Sequence, residues 1–123
     1  MKRVYILQDM KNHDYSVVEE YGQPVFVGDK DINSRFQIMG TPHNRQVIRN
    51  MFQVLKQFED GDYVVVSGNP VMVSLALHYL VVMRELQVKL LKWDNRAMEY
   101  CVLDYPGVIF NDRDLFQPTI ERG

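Results

Sequence analysis

The sequence predicts an α/β fold: a three-layer, Rossmann-like or flavodoxin-like sandwich whose mostly parallel sheet ends in an antiparallel C-terminal hairpin strand. Three observations predict it. Strand-like and helix-like segments alternate along the chain, which is the pattern of layered α/β domains. Tyr63–Val66 is a continuous apolar run, as expected of a central strand covered on both faces. Right-handed crossovers then limit the topology to doubly wound sheets.

The size of the chain fits one domain. It has 123 residues, of which 46% are hydrophobic and 24% are charged, with a net charge of −2. These values are typical of globular proteins. We expect residues 1–105 to form a single α/β domain. The irregular but apolar tail, 106–123, is expected to pack on this body or on a neighbouring subunit.

Two short strands and a short helix are predicted in the N-terminal part. Arg3–Gln8 is rich in β-forming residues and is expected to be the first strand. Asp14 is placed to cap a helix over Tyr15–Tyr21. Pro24–Gly28 follows as the second strand, with proline at its first position, where a missing N–H donor is tolerated.

A longer amphipathic helix is predicted to begin at Thr41-Pro42. Its apolar residues follow a period of 3.6 and are Val47, Ile48, Met51, Phe52, Val54, Leu55 and Phe58. Its opposite face carries Arg45, Arg49 and Lys56. Nucleic-acid binding needs several contacts with phosphates, and three cations on an acidic chain are too few for it. The sequence therefore argues against nucleic acid as a partner.

The next helix is predicted to start at Asn69-Pro70 and to run to about Leu86. Val71–Met83 has almost no polar face, and a helix that is apolar all round must be buried all round. A small sheet covers only one side, so either loops or a second copy are expected to cover the other, and a second copy is favoured. A homo-oligomer, with a dimer favoured, is therefore predicted through this helix or the tail. The segment is too short to span a membrane.

The last elements are predicted to form a β-hairpin. Val88–Trp93 is a strand, Asp94-Asn95-Arg96 has turn chemistry, and Ala97–Leu103 pairs back on the first strand. Lys89 and Lys92 fall on opposite faces, which favours a position near the edge of the sheet.

Ser67, Gly68 and Asn69 form the best candidate ligand site. They follow the central strand and precede a helix, where open α/β sheets bind ligands and helix N-termini attract anions. Gln8 and Asp9 are expected at the same edge, Asp9 as a ligand for a sugar hydroxyl or a metal. However, Pro70 removes one N–H donor and the Asn69 side chain satisfies another, which favours a structural turn.

Neither a catalytic set nor a metal or cofactor motif is recognisable in the sequence. His13, His43 and His78 lack partners at ligand spacing, and His78 is best interpreted as a core or interface histidine. The single Cys101 indicates a reducing compartment, so we expect a cytoplasmic protein. The sequence thus favours a protein without enzymatic activity, metal or cofactor.

The segments "GDYVVVSGNP" and "VKLLKWDNRAMEYCVLDY", the latter Val88–Tyr105, resemble small uncharacterised proteins of tailed bacteriophages. The resemblance implies expression in the cytoplasm of an infected bacterium, or incorporation into a virion, and implies no reaction. Our first hypothesis is a non-enzymatic phage accessory protein that self-associates and binds a host or phage protein. The alternative is a nucleotide- or phosphate-binding α/β domain, with or without enzymatic activity, that uses Ser67–Asn69.

Overall fold

The computed structural model describes residues 1–8, 14–28, 36 and 40–107. Its strands are β1 (Arg3–Ile6), β2 (Gln23–Phe26), β3 (Tyr63–Val65), β4 (Val88–Asp94) and β5 (Glu99–Tyr105). Its helices are a 3-10 helix (Ser16–Glu20), α1 (Thr41–Leu55), α2 (Pro70–Leu77) and a π-helical segment (His78–Met83) that continues α2.

The five strands form one sheet in the order β2-β1-β3-β4-β5. The first three pairings are parallel, and β4 pairs with β5 in the antiparallel direction. This confirms the predicted α/β class with its antiparallel hairpin, and the strand order is that of flavodoxin-like sheets. β3 is the middle strand, and its Val64 and Val65 are buried. The predicted central strand is therefore correct.

The two faces of the sheet are covered unequally. On one face, α1 and α2 pack on Tyr5, Leu7 and Val64. On the other face, Val18 of the 3-10 helix packs with Val4 and Ile6. The second layer of helices is thus thin.

The helix predicted over Tyr15–Tyr21 is a five-residue 3-10 helix. The Asp14 carboxylate accepts a hydrogen bond from the Ser16 amide at 2.9 Å, but the N-cap is Tyr15 and no side chain caps the helix, so the predicted Asp14 cap was wrong. A segment of this length forms a 3-10 turn readily, since such turns occur in short pieces. The predicted type of helix was therefore wrong at this position, although its place was right.

Aromatic rings complete the thin layer near the hairpin. Trp93 and Tyr100 lie opposite each other on β4 and β5 and meet edge to face, with ring centroids 5.0 Å apart. Tyr21 contacts Tyr100 and Tyr63 from the 3-10 side. Burial in this cluster raises the pKa of the Tyr100 phenol. These rings cover a part of the sheet on which no helix of the described residues packs.

α2 and its π-helical continuation are not buried all round. Met72, Ala76 and Leu80 are buried in the core beside the sheet. Tyr79 stacks on Phe52 of α1 at 4.5 Å. The exposed side consists of Val71, Ser74, His78, Val82 and Met83. The few polar residues of this helix thus face solvent, and the interpretation of His78 as a core histidine was wrong.

The helix ends at Met83 rather than at Leu86. Glu85 adopts a positive φ of 57°, a conformation that stops helical propagation. Just before it, the Arg84 guanidinium donates hydrogen bonds to the carbonyls of Leu55 and Phe58 at 2.8 and 3.0 Å. The Leu55 carbonyl also accepts from the Phe58 amide at 3.1 Å, so Arg84 adds a charged donor to acceptors at and just beyond the end of α1. Arg84 therefore joins the ends of the two helices.

In the described ranges, no helix combines the length and the apolar character needed to cross a membrane. On α1, Arg45, Arg49 and Lys56 are all exposed, as expected of a solvated face.

A candidate ligand turn at the carboxyl edge of the sheet

The predicted site residues lie between β1 and β3, where the order of the strands in the sheet reverses. β1 pairs with β2 on one side and with β3 on the other. Gln8 follows β1, and Ser67, Gly68 and Asn69 follow β3, so both segments leave the same edge of a parallel pair. This is the topological switch point, where doubly wound sheets bind their ligands. The positional requirement for a site is therefore met.

The hydrogen bonds of the turn already occupy two of its donors. The Gln8 side-chain oxygen accepts from the Asn69 amide at 2.6 Å. The Asn69 side chain accepts from the Val71 amide at 2.8 Å, which confirms the predicted cap of α2. Pro70 has no N–H to offer. An anion at this helix terminus would have to displace the Gln8 side chain.

Gly68 allows the close approach of the two segments. Its φ of +80° lies in the left-handed region that favours glycine. A side chain at this position would also collide with the side chain of Gln8. The short Gly68 and the long Gln8 together close the turn. The sequence placed Gln8 at this edge but did not indicate that its side chain reaches across to Asn69.

Among the described site residues, Ser67 has a buried polar group that is not used. Its hydroxyl oxygen is buried and has no hydrogen-bond partner within the described residues. Asp9 and His13 lie outside the described residues. The structure thus brings Ser67, Gly68 and Asn69 together with Gln8, and their use as a ligand site stays a prediction. Within the described ranges, no three His, Cys, Asp or Glu residues are grouped to hold a metal.

Replacing Gln8 with alanine tests whether this turn is a structural joint. We expect the free energy of unfolding to fall by about 1 kcal/mol, because the part-buried Asn69 amide loses its acceptor. Urea unfolding followed by circular dichroism measures the change. Gln23→Ala on exposed β2 is the matched control and should change stability by less than about 0.5 kcal/mol. Equal effects of the two substitutions would show that the Gln8 bond does not hold the turn.

Comparison with known proteins places the chain in a family. A model of the Phage Pam3 gp32-like protein family matches residues 2–106. The match covers the whole sheet and extends well beyond the segments whose resemblance was visible in the sequence, including the N-terminal part. No curated protein and no solved structure matches the chain. The protein therefore belongs to the Phage Pam3 gp32-like protein family.

Proposed function

We propose that this phage protein works by binding proteins, first of all a second copy of itself, through the outer edge of β5, which pairs with no other strand among the described residues. The observation that supports the proposal is that β5 is a long terminal strand with exposed apolar side chains on both faces. An unpaired strand edge is a ready template for another strand. A host or phage protein would bind to the dimer that results.

The two edges of the sheet differ in how well they resist such pairing. The β2 edge has only four residues, and one of them is Pro24, which cannot donate to a new strand. The β5 edge has seven residues and contains no proline between Glu99 and Tyr105. Short strands and prolines are common protections of natural sheet edges. β2 is protected in this way, and β5 is not.

The side chains of β5 leave apolar surface on both faces of the sheet. Val102 is 43% exposed and Leu103 is 47% exposed, and neighbouring residues of a strand point to opposite faces. Met98, just before the strand, is 69% exposed. Pairing with a second β5 would cover Val102 on one face and Leu103 on the other.

A two-fold axis at Val102 gives the full overlap of two β5 strands. In this antiparallel register Cys101 lies opposite the partner's Leu103, and Glu99 lies opposite the partner's Tyr105. Asp104 lies opposite the partner's Tyr100. Like charges directly opposite each other would destabilise a sheet, and this register brings none together. The self-pairing of β5 is compatible with its acidic residues.

The exposed side of α2 is a weaker candidate surface than the sequence indicated. Ser74 and His78 lie in its middle and separate Val71 from Val82. Val102 and Leu103 both lie on the edge strand β5, so the pairing of one more strand would cover both of them, one on each face. We therefore assign the self-association to β5 rather than to the Val71–Met83 helix.

The mass of the protein in solution and the reach of its single cysteine test the proposal. Light scattering at micromolar concentration should give about 29 kDa, which is twice the 14.5 kDa of one chain. Cys101 is exposed on β5, and in the proposed register the two cysteines are diagonal neighbours about 7 Å apart. A short bismaleimide should therefore link two wild-type chains. A monomer over the whole concentration range would refute the proposal.

Lysine substitutions test which surface, β5 or α2, forms the dimer interface. Val102→Lys should weaken dimerisation at least about tenfold, because the two positive charges would meet at the axis. Gln23→Lys, on the exposed β2 edge, is the control and should leave the dimer unchanged. If Val71→Lys disrupts the dimer and Val102→Lys does not, α2 forms the interface and the assignment to β5 is wrong.

A further inference from the structure

An apolar groove lies between the π-helical segment and the end of β5. Its volume is about 430 Å³, and its apolar lining consists of Val81, Val82, Leu86, Tyr105 and Pro106. We call it the Val82–Tyr105 groove. Val82 is 61% exposed in this groove, although it is a large aliphatic residue. The groove is therefore a place where apolar surface remains to be covered.

The connection between β4 and β5 explains why the groove is open. Parallel strands are joined by crossover segments that cover the sheet, whereas β4 and β5 are joined by a tight antiparallel turn. Leu90 and Leu103 lie opposite each other on these strands and belong to the α2 side of the sheet. Within the described residues, no element covers Leu103 on that side. The Val82–Tyr105 groove continues this uncovered surface.

We propose that the C-terminal segment 108–123 of the same chain occupies the Val82–Tyr105 groove, with the run Val108-Ile109-Phe110 as its anchor. The described part of the chain ends at Gly107, one residue after Pro106, which lines the groove. Sixteen residues follow, and the first three of them are apolar. An extended chain advances about 3.3 Å per residue, so Phe110 is within about 10 Å of Gly107.

A second copy is a less direct occupant of this groove. A segment that starts at the mouth of the groove has a high effective concentration there, whereas another chain must first associate. The family match ends at residue 106, so the proposed anchor belongs to the part of the chain beyond the family domain. The proposal does not depend on the β5 dimer, which uses the outer edge of the strand.

Limited proteolysis of the full chain tests this proposal. Trypsin cleaves after Arg113, three residues beyond Phe110, and mass spectrometry measures the release of residues 114–123. Cleavage follows the population of the released segment when binding and release are fast. Val82→Asn in the groove and Phe110→Ser in the segment should each speed cleavage about tenfold or more. Together they should add little, because both remove the same contact.

Two controls test whether the chain's own C-terminal segment or a second copy occupies the Val82–Tyr105 groove. Val71→Asn changes an equally exposed valine at the other end of the helix and should leave cleavage unchanged. Wild-type protection should also be the same at all protein concentrations. Wild-type cleavage as fast as that of Val82→Asn would overturn the proposal. Protection that grows with concentration would overturn it too, since a second copy would then supply the segment. Neither result bears on the β5 dimer, whose tests use Val102 and Cys101.

Discussion

Replacing Leu80 with alanine is expected to lower the free energy of unfolding by about 3 kcal/mol, the usual cost of truncating a large buried leucine. Leu80 has no exposed surface and belongs to the core cluster that also contains Val64 and Val88. The alanine would leave a cavity among residues that relax only in part. Urea unfolding at a fixed protein concentration measures the change, since self-association would make stability depend on concentration.

Val71→Ala is the matched control for Leu80→Ala. Val71 lies on the same helix and is 53% exposed. Its truncation should change stability by less than about 0.5 kcal/mol, as for ordinary surface positions. Similar losses in the two variants would mean that the helix is rotated from the orientation described here, with Val71 rather than Leu80 facing the sheet.

Replacing Asp62 with alanine is expected to cost about 3 kcal/mol, because two part-buried backbone amides would lose a charged acceptor. Asp62 is 3% exposed and lies just before β3. One carboxylate oxygen accepts from the Arg3 amide at 3.1 Å, and the other accepts from the Glu59 amide at 3.0 Å. The side chain thus joins the start of β1 to the segment after α1. Thermal or urea unfolding measures the loss.

Asp62→Asn separates the charge from the shape of the side chain. Asparagine keeps one acceptor oxygen but turns an NH₂ donor towards the second amide. We expect the free energy of unfolding of Asp62→Asn to lie between the values of the wild type and of Asp62→Ala. Asp60→Ala nearby is a further comparison, because Asp60 is exposed and its carboxylate accepts a hydrogen bond from the Gln87 amide at 2.8 Å. If Asp62→Ala were no more destabilising than Asp60→Ala, the joint at the start of the sheet would be misassigned.

The architecture was predictable because strong local signals agree with the packing. The continuous run at Tyr63–Val65 is the middle strand, and Asn69-Pro70 begins α2 as its cap chemistry indicates. In each case one short segment contains all the information that its conformation requires.

The rest depends on contacts between distant segments. The predicted helix near Val18 is too short for its sequence to decide between α and 3-10 geometry. The many apolar residues in Val71–Met83 indicated a helix buried on all sides. The structure shows that its polar residues Ser74 and His78 lie on an exposed side. Gln8 closes the ligand turn from a position 61 residues away in the chain. A local pattern does not encode a contact of that separation.

Amide hydrogen exchange at two protein concentrations tests the proposed β5 pairing most directly. Val64 and Val65 in the middle strand should exchange slowly at both concentrations and serve as the reference. The amides of β5 that face away from β4 should exchange slowly only at high concentration, while the β2 edge remains unchanged. Exchange in β5 that does not depend on concentration would contradict the pairing, and so would protection that appears at β2 instead.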